Sequence, residues 1–253
     1  MILSIDIGNT NTVFGIAQKD EWVKIWRIQT DSSKTADEYE VIFRSLFINS
    51  KICKSEITRT VISSVVPKLI RPFREMLINL LGHSPFLVEP SIYNKLPVSV
   101  LNPYEIGADL VVNATAAFVR YPAPCMVIDF GTALTFTTIS KTGEILGVAI
   151  APGIGTALKS LTENTAQLPD VQLVLPPSVL GKNTIHAIQS GLVFGFAGLV
   201  DSIVDRTEEE LGESLTVIAT GGLSAVLFNV AKKIQQVDEN LTLDGLKYIA
   251  HLL

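Results

Sequence analysis

Apolar residues run or alternate over positions 2–6, 13–17 and 22–28, with short polar turns between them. Three such runs in succession predict strands joined as a meander. Thr35-Ala36-Asp37-Glu38 has the form of a capping box, Thr at the N-cap and Glu at N3, and predicts a helix through about residue 47. Residues 61–66 read as a buried strand closed by Pro67, followed by a helix to about residue 81 and a short strand at 86–88. The pattern then restarts. Residues 105–121 have helical periodicity, and 126–129, 134–139 and 144–150 repeat the opening meander. Helices are predicted at 156–167 and 184–210, a strand at 216–220 ending at Gly221-Gly222, and closing helices at 224–233 and 243–253. Strands interleaved with covering helices predict an α/β fold. The restart divides the chain into an N-terminal lobe, 1–104, and a C-terminal lobe, 105–253. No Pro- or Ser-rich linker separates them, so tight packing is expected.

Composition changes this picture in three places. Apolar residues make up 47% and charged residues only 18%, which implies extensive burial and leaves apolar surface for a subunit interface. No run reaches the ~18 consecutive apolar residues of a membrane span; the uncharged stretches around 146–158 and 188–200 are broken by Gly, Ser or Pro. A net charge of −5 argues against binding nucleic acid through bulk electrostatics. Cys53 and Cys125 belong to no Cys-x-x-Cys motif and read as structural thiols of a reducing compartment. The chain opens directly on a strand, without the pattern of a signal peptide, and a cytoplasmic location is expected.

The candidate chemistry lies in an internal repeat. Asp6-Ile-Gly-Asn-Thr-Asn-Thr12 and Asp129-Phe-Gly-Thr-Ala-Leu-Thr135 share Asp, Gly and Thr at the first, third and seventh places. Each follows one apolar strand and precedes another, about half a chain apart, which suggests a duplicated lobe. Glycine lets the backbone turn sharply and approach a ligand. Successive N–H groups in such a turn form an anion-binding concavity, to which Thr and Asn add donors. An Asp at the strand end cannot bind an anion directly, but it suits a hard cation that takes oxygen ligands. Two such loops could clamp a polyphosphate such as that of ATP. A single Asp-x-Gly is a common hairpin turn; the doubling is what raises it above that. No G-x-x-x-x-G-K-[ST] loop occurs, and no G-x-G-x-x-G follows the first strand.

Further segments occur in a fixed order: Ser63-Ser-Val-Val-Pro67, Gly107-Ala108-Asp109, Ala149-Ile-Ala-Pro-Gly153, Gly181-Lys-Asn-Thr184, Gln189-Ser-Gly191 and Ala219-Thr-Gly-Gly-Leu223. Together with the two loops they resemble the type III pantothenate kinases, of the acetate and sugar kinase/Hsp70/actin superfamily, over essentially the whole chain. The resemblance implies two duplicated actin-like (ribonuclease H-like) lobes around a central cleft. It implies transfer of phosphate from ATP to pantothenate, giving 4′-phosphopantothenate, the first step of coenzyme A synthesis. It also implies residue roles. Asp6, Ile7, Gly8, Asn9, Thr10, Asn11, Thr12 and Val13 would hold the ATP phosphates, with Asp6 near Mg²⁺. Asp129 would help bind a monovalent cation (K⁺ or NH₄⁺). Gly131 and Thr132 would contact ATP, and Thr220, Gly221 and Gly222 would lie by the adenosine. Val100, Gly107, Ala108, Asp109, Leu110 and Thr184 fall at the pantothenate site, with Asp109 as the base facing the attacking hydroxyl. A homodimer is implied, with the pocket near its interface. The chemistry of Asp109 agrees, since phosphoryl transfer needs mostly positioning and an Asp can accept the hydroxyl proton late; a first-turn Asp favoured by the helix dipole is the structural alternative.

The chain departs from the family on the acceptor side. Leu110 stands where the family writes Arg, and Val100 where it writes Tyr. Leu cannot make the bidentate contact of an Arg with a carboxylate. Losing one charge-assisted hydrogen bond costs about 1.5–3 kcal/mol, or about 10–100-fold in affinity. Lys95 and Arg120 are candidates to replace it. Three readings stay open: a pantothenate kinase with a rebuilt carboxylate site, a kinase for a related alcohol such as pantetheine, and a non-catalytic ATP-binding regulator. His83, His186 and His251 have no ligand spacing, and Trp22 and Trp26 read as packing residues on one face of a strand.

Overall fold

The computed structural model describes residues 1–165 and 167–253. β1 (Ile2–Ile7), β2 (Asn11–Gln18) and β3 (Glu21–Gln29) form the first meander. Thr35 caps α1 (Ala36–Asn49), and the Glu38 carboxylate accepts from the Thr35 N–H at 2.8 Å, closing the capping box. β4 (Arg59–Ser64) lies parallel to β1. Pro67 opens α2 (Pro67–Leu81), where its missing N–H costs nothing, and Gly82 ends it at φ 80°. β5 (Phe86–Leu87) and α3 (Pro90–Tyr93) follow. The sheet order is β3-β2-β1-β4-β5.

After α4 (Ala108–Arg120), the second meander is β6 (Cys125–Phe130), β7 (Ala133–Ile139) and β8 (Ile145–Pro152). α5 (Ile154–Glu163) and α6 (Thr184–Leu211) lead to β9 (Thr216–Thr220), parallel to β6. α7 (Ser224–Phe228), β10 (Gln236–Val237) and α8 (Leu241–Leu252) complete the chain. This sheet runs β10-β9-β6-β7-β8, the same order of meander and parallel strands as the first. The duplication suggested by the repeated loop is therefore a duplication of topology, and the α/β expectation holds.

Two compact units result, Met1–Val119 with Leu241–Leu253, and Arg120–Asn240. In the first, one sheet face buries an aromatic core in which Phe14 stacks on Phe43 at 4.1 Å and Trp26 lies 5.2 Å from Phe14. α8 packs against β1, β2 and β4, and its buried residues stand outside that core, on the other face. Gly245 lets α8 lie close against α4 as well, because a Cβ there would lie 2.5 Å from the Val112 carbonyl oxygen of α4. In the second unit Ile128, Phe136, Leu192, Val200 and Val217 share one core.

Several expectations need correction. α4 begins at Ala108, not 105, because 102–105 form a turn in which the Glu105 N–H donates to the Asn102 carbonyl at 3.1 Å. α5 ends at Glu163, short of 167; Ala166, within the expected helix, lies outside the described residues. Trp22 and Trp26 do not share a face. A bulge in the β2–β3 pairing at Ile16/Ala17 inserts one residue between them. Trp26 enters the aromatic core, whereas Trp22 donates from Nε1 to Asp244 of α8 at 2.8 Å. α6 matches the expected helix at 184–210 to within one residue, and by length and composition alone it could cross a membrane. Its Ile188, Leu192, Val200 and Val204 instead belong to the core of the second unit.

Candidate active site

The first loop is a tight connection held from outside. Asp6 pairs with Val13 and Ile7 with Thr12, and the Gly8 N–H donates to the Asn11 carbonyl at 3.0 Å, so Asn9 and Thr10 form an exposed tip. Thr30, just past β3, fastens this turn. Its N–H donates to the Thr10 carbonyl at 2.9 Å and its hydroxyl to the Gly8 carbonyl at 2.7 Å. Since that hydroxyl has only one proton, the 2.9 Å contact between the Thr12 and Thr30 hydroxyls must be donated by Thr12. Thr12 is fully buried and holds the loop in shape. Thr30 carried no sequence signal, being a lone threonine after a strand.

The second loop is one residue shorter between its strands. Phe130 pairs with Leu134, the Gly131 N–H donates to the Ala133 carbonyl at 3.2 Å, and Thr132 alone forms the tip. The shared seventh-place threonines are therefore not equivalent: Thr12 faces Ile7, but Thr135 faces Asp129. Around this loop the structure gathers Asp129, Gly131, Thr132, Thr220 and Gly221 at the carboxyl ends of the parallel strands β6 and β9, the end of an open α/β sheet where ligands bind. Gly221, at φ +91°, packs so closely that a Cβ would lie 2.7 Å from Asp129 Oδ1 and 2.8 Å from the Phe130 backbone. Ser224 secures the turn, donating from its hydroxyl to the Gly221 carbonyl at 2.7 Å. Gly222, the next residue, has open space at its α-carbon. The Thr132 carbonyl accepts from Gly153 N–H at 3.0 Å and from the Thr156 hydroxyl at 2.7 Å, which explains the Ala-Pro-Gly153 segment.

Asp109 sits in the first turn of α4, and a Cβ at Gly107 would lie 2.5 Å from its Oδ1. Glycine at 107 thus makes room for this carboxylate. Asp109 Oδ1 accepts the Leu110 N–H at 2.9 Å. Burial pushes its pKa up, and that backbone N–H opposes the shift without cancelling it. Tyr93, buried at the end of α3, has its phenol raised by burial and by the nearby Asp109 charge. Leu110 is 7% exposed, inside the packing of α4, while Ala108 is also buried and Val100 half-buried. Of the two candidate replacement cations, Arg120 is engaged with Asp238 at 2.6 Å, and Lys95 is exposed.

Thr184 is the first residue of α6, and Asn183 caps that helix by accepting the His186 N–H at 2.8 Å. Gly181 is required because its α-carbon lies against the Ala187 backbone. Gln189 and Ser190 are also explained, since they donate to the Gln172 and Val179 carbonyls at 2.8 and 2.5 Å and hold the preceding connection on α6. Beside Thr184 lies a recess of about 470 Å³ walled by Leu161, Leu168, Ile188 and Leu192. Among the described residues no cluster of three or more His, Cys, Asp or Glu could hold a metal.

Comparisons with known proteins bear on the fold and the family. Two solved structures share the fold at low identity: the activator of the 2-hydroxyisocaproyl-CoA dehydratase from Clostridium difficile with bound ADPNP (TM-score 0.58, 12% identity, 98% of this chain and 93% of that one), and the ethanolamine utilization protein EutJ from Carboxydothermus hydrogenoformans (TM-score 0.57, 15% identity, 96% and 88%). The type III pantothenate kinase of Myxococcus xanthus (strain DK1622) is 43% identical over 249 residues, covering 98% of this chain and 97% of that protein. That of Moorella thermoacetica (strain ATCC 39073 / JCM 9320) is 44% identical over 249 residues, covering 98% of each. The family model for type III pantothenate kinases matches residues 2–206, and the chain belongs to the type III pantothenate kinase family.

Proposed function

We propose that this chain transfers the γ-phosphoryl group of ATP to the terminal hydroxyl of pantothenate, giving 4′-phosphopantothenate and ADP for coenzyme A synthesis. The observation that carries the reading is Asp109. Its carboxylate stands in a place left open by a glycine, partly buried at the start of a helix. There it accepts the proton of the attacking hydroxyl as the bond to phosphorus forms and the bond from phosphorus to the ADP oxygen breaks. The exposed Asn9 and Thr10 tip and the Gly131-Thr132 turn are read as the phosphate-binding groups, and Thr220-Gly221-Gly222 as the adenosine side. Asp6 suits Mg²⁺, because its carboxylate stands at the loop end of β1 and hard cations take oxygen ligands. Asp129, wedged against Gly221, suits a monovalent cation such as K⁺. Bound Mg²⁺ would neutralise charge on the transferring phosphate. A cytoplasmic homodimer without nucleic-acid or membrane partners completes the reading; the exposed apolar face of β8 supports the dimer.

A second reading has its own observation. Leu110 is buried where the family carries Arg, and Arg120 is held by Asp238. Both favour an uncharged acceptor alcohol such as pantetheine. Purified protein supplied with ATP, Mg²⁺ and K⁺ separates the two when ADP release is followed with each acceptor. Turnover on pantothenate supports the first reading, and turnover on pantetheine alone selects the second. No turnover on either, with ATP still bound, leaves the regulator and ends both kinase readings. Under the first reading, Leu110→Arg lowers KM for pantothenate by about 10-fold and leaves any pantetheine activity unimproved.

A further inference from the structure

The face of the first sheet that carries Asp6 contains two polar groups without partners. Side chains alternate along a strand, so Leu3, Ile5 and Ile7 enter the aromatic core and Ser4 and Asp6 point to the opposite side. On the neighbouring parallel strand Asp6 pairs with Ser63 and Ser4 with Val61, which puts Ser63 directly beside Asp6 on the same face. Ser63 is 0% exposed, as is Ser4, and neither hydroxyl has a hydrogen-bond partner. Buried hydroxyls are normally satisfied, because leaving one unpaired forfeits its hydration without return. Ser63 differs from Ser4 in place. Ser4 lies one pleat deeper, whereas Ser63 stands level with the last carboxylate before the loop.

We infer that Ser63 is a positioning residue for the divalent cation held at Asp6, its hydroxyl finding its partner in the water shell of that cation when nucleotide is bound. The inference rests on the reading of Asp6 as the Mg²⁺ group. Hard cations of this size retain several waters and are bound through one or two carboxylates, so a hydroxyl next to the carboxylate orients that shell without touching the ion. Ser4, too deep to reach the shell, is a matched control.

Mn²⁺ is the probe. Its binding is titrated by electron paramagnetic resonance in the presence of ADP, with melting temperature measured on the same samples. Ser63→Ala is expected to weaken Mn²⁺ about 3- to 10-fold, the loss of one hydrogen bond, and not to lower the melting temperature, since it removes an unpaired hydroxyl. Ser4→Ala is expected to keep wild-type Mn²⁺ affinity. Equal Mn²⁺ affinity in Ser63→Ala and wild type overturns the inference, and so does equal weakening in both variants. If Ser63→Ala proves unstable, Ser63→Thr, which keeps the hydroxyl, decides: near-wild-type affinity supports the inference and an Ala-like loss overturns it. Asp6→Asn separates the two levels. Asp6→Asn with unchanged Mn²⁺ binding removes the underlying reading and this inference together; weakened Asp6→Asn with unaffected Ser63→Ala removes the inference alone.

Discussion

Asp109 and Gly107 act as one unit. The glycine has no side chain because Oδ1 of Asp109 occupies the space that a Cβ would need. Burial raises the Asp109 pKa above the ordinary carboxylate range, against the lowering effect of the Leu110 N–H. The sign matters twice. A raised pKa means that the native protein holds this proton over a pH window in which the unfolded chain has released it, so this group's stability contribution is present at low pH and declines as pH rises through that window. For the reaction, the basic form is lost at a higher pH than for an exposed aspartate. The acid limb of kcat/KM is therefore expected above the usual carboxylate range, and Asp109→Asn should abolish turnover while ATP binding persists. Gly107→Ala should push the carboxylate aside and lower kcat at least about 10-fold without weakening ATP binding. A Gly107→Ala enzyme with wild-type kcat would remove Asp109 from the role of base. At this scale the sequence was informative for Asp109 and silent on its setting. The motif named the aspartate, but that Leu110 is a packing residue and Arg120 is held by Asp238 depends on partners distant in the chain.

At the scale of elements, the two loops show what a repeat can and cannot convey. Both meanders, both strand-end carboxylates and both glycine turns were legible, because strand periodicity and turn chemistry are local. The register was not. The first loop turns through Asn9 and Thr10 and the second through Thr132 alone, so matched letters at the seventh place point to different partners. The bulge that parts Trp22 from Trp26 was hidden for a similar reason, since it is stabilised by an α8 contact more than two hundred residues away. Thr30, which fastens the first loop, and Ser224, which secures the turn at Gly221, were missed because a single hydroxyl carries no pattern. The second loop makes a specific prediction. Gly221→Ala puts an L-residue in the left-handed region, costing about 1–2 kcal/mol, and pushes its Cβ toward the Phe130 backbone and Asp129 Oδ1. A melting temperature lower by about 2–8 °C is expected; on the proposed reading of Asp129 as the monovalent-cation group, activation by K⁺ is lost as well, because Asp129 is displaced. Unchanged K⁺ activation in a destabilised Gly221→Ala protein would show that Asp129 has no part in it.

At the scale of the whole molecule, the apolar surplus read from composition has a location. β8 is an edge strand, and Leu146, Val148 and Ile150 stand on one side of it, with Ile150 68% exposed. Their alternating neighbours Ala149 and Ala151 pack against the core of the second unit. No charged residue occurs from 145 through 158. Exposed sheet edges are usually protected by charge, proline or a covering element, since a bare apolar edge recruits another chain. Only Pro152, at the very end of β8, offers any such protection. The arrangement fits a closed symmetric pair, in which the same apolar patch meets itself across a two-fold axis. Light scattering on the purified protein is expected to give twice the chain mass of 27.4 kDa. Ile150→Lys places a charge where the pair would exclude water, and at micromolar concentration it should leave a folded monomer with the wild-type circular dichroism spectrum. A monomeric wild-type protein would remove the dimer altogether. A dimer that survives Ile150→Lys would instead move its interface away from β8, and the apolar edge would need another partner.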